Sequence, residues 1–221
     1  MTKLALKMTV LLLVLVSIGT CGNQADQDTA RSVASGELKE YEGMKLSSLN
    51  DFRENSIKGP QYVDREKYTL QITGLVDSVR TFTYDQVVSR PSIKKVVELH
   101  CVEGWSVTIL WEGILVKDLL SEARVDSAAN TVIFHASDGY STSFPLSYIM
   151  ENDIIMAHRM NGLTMPPERG FPFELVAENK WGYKWIKWID RIELSDNDKY
   201  RGFWESRGYS NDGDLDKNFF D

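Results

Sequence analysis

The sequence predicts an α+β domain, mixed and mostly β, with a few short helices. Three observations predict it. Apolar residues recur in short alternating runs rather than in long helical stripes. Two Xaa-Gly pairs, Asp138-Gly139 and Asn161-Gly162, separate β-prone segments in the manner of hairpin turns. The helical signals that do occur are brief and stop early.

Taken in order, residues 68–73 alternate and end at Gly74, which reads as a strand. Thr83-Tyr84-Asp85-Gln86 has the spacing of a capping box and opens a short helix through Val88, stopped before Pro91. Residues 96–101 form another strand, with Cys101 at its end. A second helix is expected over 116–123. Residues 131–136 and 140–144 flank Asp138-Gly139 as a two-residue hairpin, and 154–159 and Leu163 flank Asn161-Gly162 as another. Residues 185–194 are apolar and β-prone. A fold class of this kind carries no chemistry by itself.

With 221 residues, there is room for one substantial domain. The formal net charge is −7, and residues 1–20 hold two lysines and no acid, so the body is more acidic still. That excludes nucleic acid as a partner, because phosphate contacts need a basic face. Electrostatic adhesion to anionic lipid is disfavoured for the same reason.

Lys3 and Lys7 precede an apolar run over 8–18, then Ile18-Gly19-Thr20-Cys21. A basic start, a short apolar stretch and small residues at its end read as an export signal. The run is shorter than the ~20 residues of a membrane span. Cys21 sits where a lipoprotein carries its acylated cysteine, and the four residues resemble a lipobox. The chain therefore divides into a signal or lipoprotein segment over 1–21, a polar tether over 22–45 and the domain over 46–221. The protein is expected in the cell envelope or periplasm, held to the membrane through Cys21. Cys21 and Cys101 are the two cysteines. With Cys21 lipidated or removed, Cys101 has no disulfide partner in the chain and must be buried or occupied. A buried structural thiol is the plain reading of such a residue.

The surroundings of Cys101 add to that reading. Three blocks resemble the sulfite-oxidase-fold molybdoenzymes, and more closely the periplasmic protein-methionine-sulfoxide reductases that depend on molybdopterin. The first is Cys101-Val102-Glu103-Gly104-Trp105-Ser106, followed by Trp111-x-Gly113 and Leu119-Leu120. The second is Asn50-Asp51-Phe52 in the arm before the domain. The third is Gly170-Phe171-Pro172 with residues 180–187, Lys-Trp-Gly-Tyr-Lys-Trp-Ile-Lys. The resemblance runs over about residues 49–194.

It implies a sulfite-oxidase molybdopterin-binding fold, a molybdenum-molybdopterin cofactor and oxygen-atom transfer on a sulfoxide-type substrate, small or protein-bound. Cys101 would be the protein's ligand to the metal. One soft thiolate is enough for that, because the cofactor brings two sulfurs of its own. Glu103 would act beside Cys101 in proton delivery, unless it is a solvent-facing carboxylate. Asn50 and Asp51 would lie against the pterin. Lys187, the backbones of Trp185 and Ile186, and Arg169 would meet its phosphate. From the strand pattern alone, Lys184 and Lys187 are the wet face of a strand. Neither a haem CxxCH nor a flavin fingerprint occurs, so electrons would come from a membrane donor protein.

The sequence departs from the reductase pattern at Glu174, where Arg is frequent, at Asp51 and at Ala136. Arg169 offers compensation for Glu174. The signal has no twin-Arg pair. The segment after Cys101 is neutral to acidic, which disfavours a sulfite dianion. The alternative is a non-catalytic envelope lipoprotein that keeps the fold as a binding module.

Overall fold

The computed structural model describes residues 36–220. Cys21, the export signal and most of the expected tether lie outside them. Residues 36–45, the end of the stretch expected as a tether, are among the described residues. β1 (Glu40–Tyr41) and β2 (Met44–Lys45) form a small antiparallel ribbon. The Glu37 carboxylate is buried and accepts from the Leu49 amide at 2.6 Å and from Asn161 Nδ2 at 3.0 Å. A satisfied buried carboxylate of this kind fixes the segment in place.

Next come β3 (Thr69–Gly74), β4 (Arg80–Thr83), α1 (Tyr84–Val88), β5 (Ser92–His100), β6 (Ser106–Leu115) and α2 (Val116–Ala123). They are followed by β7 (Thr131–Ala136), β8 (Ser141–Pro145), α3 (Leu146–Glu151), β9 (Ile155–Met160), β10 (Leu163–Thr164), β11 (Glu174–Val176) and β12 (Ile189–Ser195). The expected capping box is formed in both directions. Thr83 Oγ1 accepts from the Gln86 amide at 3.2 Å, and Gln86 Oε1 accepts from the Thr83 amide at 2.8 Å. Each satisfies a backbone donor at the start of α1.

Two five-stranded sheets carry the domain. One runs β10-β9-β6-β5, with β11 also pairing β9; the other runs β4-β3-β12-β7-β8. The β12–β3 pair is parallel and its neighbours are antiparallel. Leu70, Ile72, Phe134 and Ile192 of one sheet and Ile109, Trp111, Ile114 and Met156 of the other belong to one buried core, which α2 joins through Leu119 and Leu120. The fold is mostly β with short helices, as the sequence predicts.

Two local expectations need correction. Asn161-Gly162 is the two-residue turn expected, with both residues at positive φ (46° and 83°) and Met160 paired to Leu163. The loop at Asp138-Gly139 is longer by one residue. Ala136 pairs with Tyr140, and a turn closed by Gly139 N to Ala136 O at 2.9 Å leaves residues 137–139 as the loop. The strand expected over 185–194 begins only at Ile189. Trp188 adopts φ 55°, a left-handed conformation that breaks an extended run, and Gly182–Lys184 is a single 3-10 turn.

Candidate molybdopterin site

β5 and β6 form the longest hairpin, and the turn joining them holds Cys101. The Cys101 amide donates to Trp105 O at 2.9 Å, and the Gly104 amide donates to Cys101 O at 3.0 Å. This compact loop fixes the cysteine just beyond the end of β5. Its side chain faces a cleft with about 1010 Å3 of empty space, counting the open mouth.

The loop that follows β11 is fastened to the same place. His100 and Trp181 form a parallel bridge. Gly182 lies so near that a Cβ there would come within 3.1 Å of His100 O and 3.4 Å of Cys101 Cα. A side chain there would crowd the backbone of His100 and Cys101, and glycine avoids that. The segment that carries Trp185 and Lys187 is thereby set against the cysteine.

Two walls of the cleft differ in character. One holds Arg169, Lys187, Glu174 and Trp188. Arg169 lies over the Phe52 ring at 4.9 Å, Lys187 Nζ lies over the Trp188 ring at 4.4 Å, and Glu54 Oε1 is 3.7 Å from Lys187 Nζ. The other wall is aromatic: Tyr140, Tyr183, Trp204 and Tyr209. The rings of the last three are in contact, with centroids 5.0 Å apart for Tyr183 and Tyr209 and 5.3 Å for Trp204 and Tyr209.

Burial raises the pKa of the Cys101 thiol, and the Glu103 carboxylate adds to the rise, against the Glu103 amide, Asn55 and Arg53. Asn55 Nδ2 lies 3.6 Å from Sγ. Such a thiol keeps its proton unless a metal takes the proton's place. Burial also raises the carboxyl of Glu174, against the Lys187 and Arg169 charges, and lowers the ammonium of Lys187, against the Glu174 and Glu54 charges. Glu174 therefore leans toward its neutral form, and burial works against the charge of Lys187, which a bound anion would favour again.

Of the residues singled out in the sequence, Cys101, Glu103, Arg169, Trp185 and Lys187 come together around the cleft. Asn50, Asp51 and Ile186 do not line it. Asp51 Oδ2 caps its own turn by accepting from the Ser48 amide at 2.7 Å. Ile186 is fully buried, and its carbonyl accepts from the Leu175 amide at 3.0 Å. The asparagine of the arm that does reach the cleft is Asn55, with Arg53, Ser56 and Ile57. No periodicity marks this irregular arm, so the sequence offered no signal for it. Ala136 lies on β7, outside the lining, and the nearby acid that reaches the cleft is Asp138.

Lys184 is also absent from the cleft. It is fully buried, and its Nζ donates to Ser143 O at 2.7 Å, Glu205 Oε1 at 2.8 Å and Asn211 O at 2.9 Å. The two lysines are therefore not one wet face of a strand: the 3-10 turn over Gly182–Lys184 ends between them, with Lys184 buried and Lys187 in the cleft.

Residues 57–204 match the family described as the oxidoreductase molybdopterin binding domain. The chain belongs to this family. It is 34% identical over 156 residues to the uncharacterized oxidoreductase YuiH of Bacillus subtilis, covering 70% of this chain and 78% of that one. It is 31% identical over 148 residues to the putative protein-methionine-sulfoxide reductase subunit YedZ1 of Azospira oryzae, covering 67% and 56%. It is 33% identical over 149 residues to the protein-methionine-sulfoxide reductase catalytic subunit MsrP of Gluconobacter oxydans, covering 59% and 48%. The chain thus spans about half the length of the latter two relatives. Among solved structures, the sulfane dehydrogenase SoxCD of Paracoccus pantotrophus shares the fold, with a TM-score of 0.62 at 22% identity over 70% of this chain and 43% of that one.

The protein is therefore an oxidoreductase that binds molybdopterin, and the residues present fit that cofactor. A lone thiol is the soft donor that the metal requires. Lys187 and Arg169 supply cations for a phosphate. Trp185, on the same segment as Lys187, would give a flat surface for a pterin ring.

Proposed function

We propose that this protein is an exported molybdenum-molybdopterin oxidoreductase that reduces a sulfoxide-type substrate such as methionine sulfoxide. A membrane electron-donor protein supplies two electrons, and Cys21 anchors the chain to the membrane. The observation that carries the reading is the buried Cys101 thiol facing a cleft with one cationic and one aromatic wall. The sulfoxide reductase names among the relatives support the choice of substrate.

The half-reaction takes a sulfoxide, two protons and two electrons to a thioether and water. When bound, the cofactor supplies the two-electron oxygen-atom chemistry, and the protein supplies orientation and electrostatics. Cys101 Sγ would hold the metal from the hairpin turn. Lys187 Nζ and the Arg169 guanidinium would hold the phosphate. Trp105 and Trp185 narrow the space around the thiol and exclude water. Glu103 is exposed, lines the cleft and lies two residues from Cys101, so its carboxylate can pass solvent protons toward the oxygen that leaves as water. The carboxylates of Glu103 and Asp138 repel an anion, which favours a neutral sulfoxide over sulfite.

The test is steady-state turnover of cofactor-loaded protein with a reduced viologen dye as donor. Oxidation of the dye with methionine sulfoxide, and none with Cys101→Ser, is the expected result. Oxidation of sulfite with ferricyanide as electron acceptor, together with no viologen oxidation by any sulfoxide, would overturn the choice of substrate.

A further inference from the structure

Residues 205–220 lie beyond the stretch that matches the family, yet they return to the cleft. Their course is fixed by bonds to the loop that bears Trp185 and Lys187. The Trp181 amide donates to Gly213 O at 2.8 Å, the Leu215 amide donates to Asn179 O at 3.0 Å and Tyr183 Oη donates to Ser210 O at 2.8 Å. Glu205 is locked to Lys184 inside the protein. Phe219 packs edge-on against Trp181 at 5.3 Å, and Phe220 lies 4.7 Å from Tyr209. A segment held at this many points presents Tyr209 in a defined place.

We infer that Tyr209, backed by Trp204, is a specificity-determining residue that receives the apolar arm of a neutral sulfoxide substrate. The inference rests on the sulfoxide reading above. Trp204 and Tyr209 give the cleft an apolar, polarisable wall. Aromatic faces and edges of this kind favour methyl and thioether groups, through area and through sulfur–aromatic contact. The same cleft carries Asp138 and Glu103, so a substrate arm that brings a carboxylate is disfavoured while an uncharged one is not. The side chain of methionine sulfoxide within a peptide has that chemistry: a methyl group, a short methylene arm and no charge near the sulfur. A compact sulfoxide such as dimethyl sulfoxide lacks the arm and has nothing to place on the wall.

The experiment compares wild type, Tyr209→Ala and Tyr209→Phe as cofactor-loaded proteins of equal molybdenum content. Turnover is measured on an N-acetylated, amidated methionine sulfoxide and on dimethyl sulfoxide. Binding of the corresponding methionine amide product is followed by tryptophan fluorescence. Tyr209→Ala is expected to raise KM for the methionine sulfoxide, and Kd for the product, about tenfold. Its kcat should stay within about threefold, and its kcat/KM for dimethyl sulfoxide should be nearly unchanged. Tyr209→Phe keeps the ring and should match wild type. Unchanged KM and Kd in Tyr209→Ala would overturn the inference, and so would an equal loss on both substrates, which marks a purely structural segment. A wild type that reduces neither sulfoxide would overturn the underlying reading, and the subsite with it.

Discussion

Lys184→Ala is expected to damage the fold, in contrast to any loss at Lys187. Lys184 and Glu205 are both fully buried, and the lysine is the only cation paired with that carboxylate among the described residues. Glu205 Oε1 also accepts from Thr142 Oγ1, but Oε2 has no partner. Removing the ammonium leaves a carboxylate inside the protein with one neutral hydroxyl for support. Breaking a buried pair in this way costs about 3–5 kcal/mol. For a domain of this size, each kcal/mol moves Tm by about 2–4 °C, so a drop of about 6–20 °C follows. The assay is thermal unfolding of the cofactor-free protein at pH 7, followed by near-UV circular dichroism. Lys184→Met combined with Glu205→Leu removes both charges and should recover most of the loss, because apolar replacement of a whole buried pair is often neutral. A Lys184→Ala protein within about 2 °C of wild type would refute the reasoning. A double variant as unstable as the single would place the cost in the lost bonds to Ser143 O and Asn211 O instead.

Three further outcomes follow from the same geometry. If Lys187 holds the pterin phosphate as proposed, Lys187→Ala costs about 1.5–3 kcal/mol, or roughly ten- to a hundredfold in cofactor affinity, and metal content after mild dialysis measures it; retention equal to wild type would mean that Lys187 does not hold the phosphate. Glu174, raised by burial to about 8 from its ordinary 4.5, keeps a proton that the unfolded chain has lost between those values. Its contribution to the stability of the cofactor-free protein is therefore lost as pH climbs through that window, and Glu174→Gln should flatten the fall in urea midpoint between pH 5.5 and 7.5; an unaltered slope would show that Glu174 titrates normally. Cys21→Ala should release the protein from membranes or leave it unprocessed, as cell fractionation would show; wild type and variant both soluble in the envelope fraction would rule out the anchor.

What could be read in advance was local. The capping box at Thr83, the helix over 116–123 and the turn at Asn161-Gly162 each depend on a few neighbouring residues, and each was legible. β6 was not, because it buries Ile109, Leu110 and Trp111 in succession, and a strand covered on both faces has no alternating pattern. In the site, Cys101, Glu103, Arg169, Trp185 and Lys187 stood within or beside recognisable blocks. Asn55 and Tyr209 did not. They reach the cleft from an irregular arm and from the far end of the chain, and only tertiary structure brings them there. Lys184 shows the same limit: its partner Glu205 lies 21 residues on, and no spacing rule connects the two.

The most direct measurement is the molybdenum content of the protein purified from a host that makes the cofactor, by elemental analysis, beside Cys101→Ser. About one molybdenum per wild-type chain is expected, with little or none in a Cys101→Ser protein whose unfolding transition is preserved. Wild type free of molybdenum under those conditions, or a folded Cys101→Ser protein that holds as much metal as wild type, would contradict the assignment of Cys101 as the ligand.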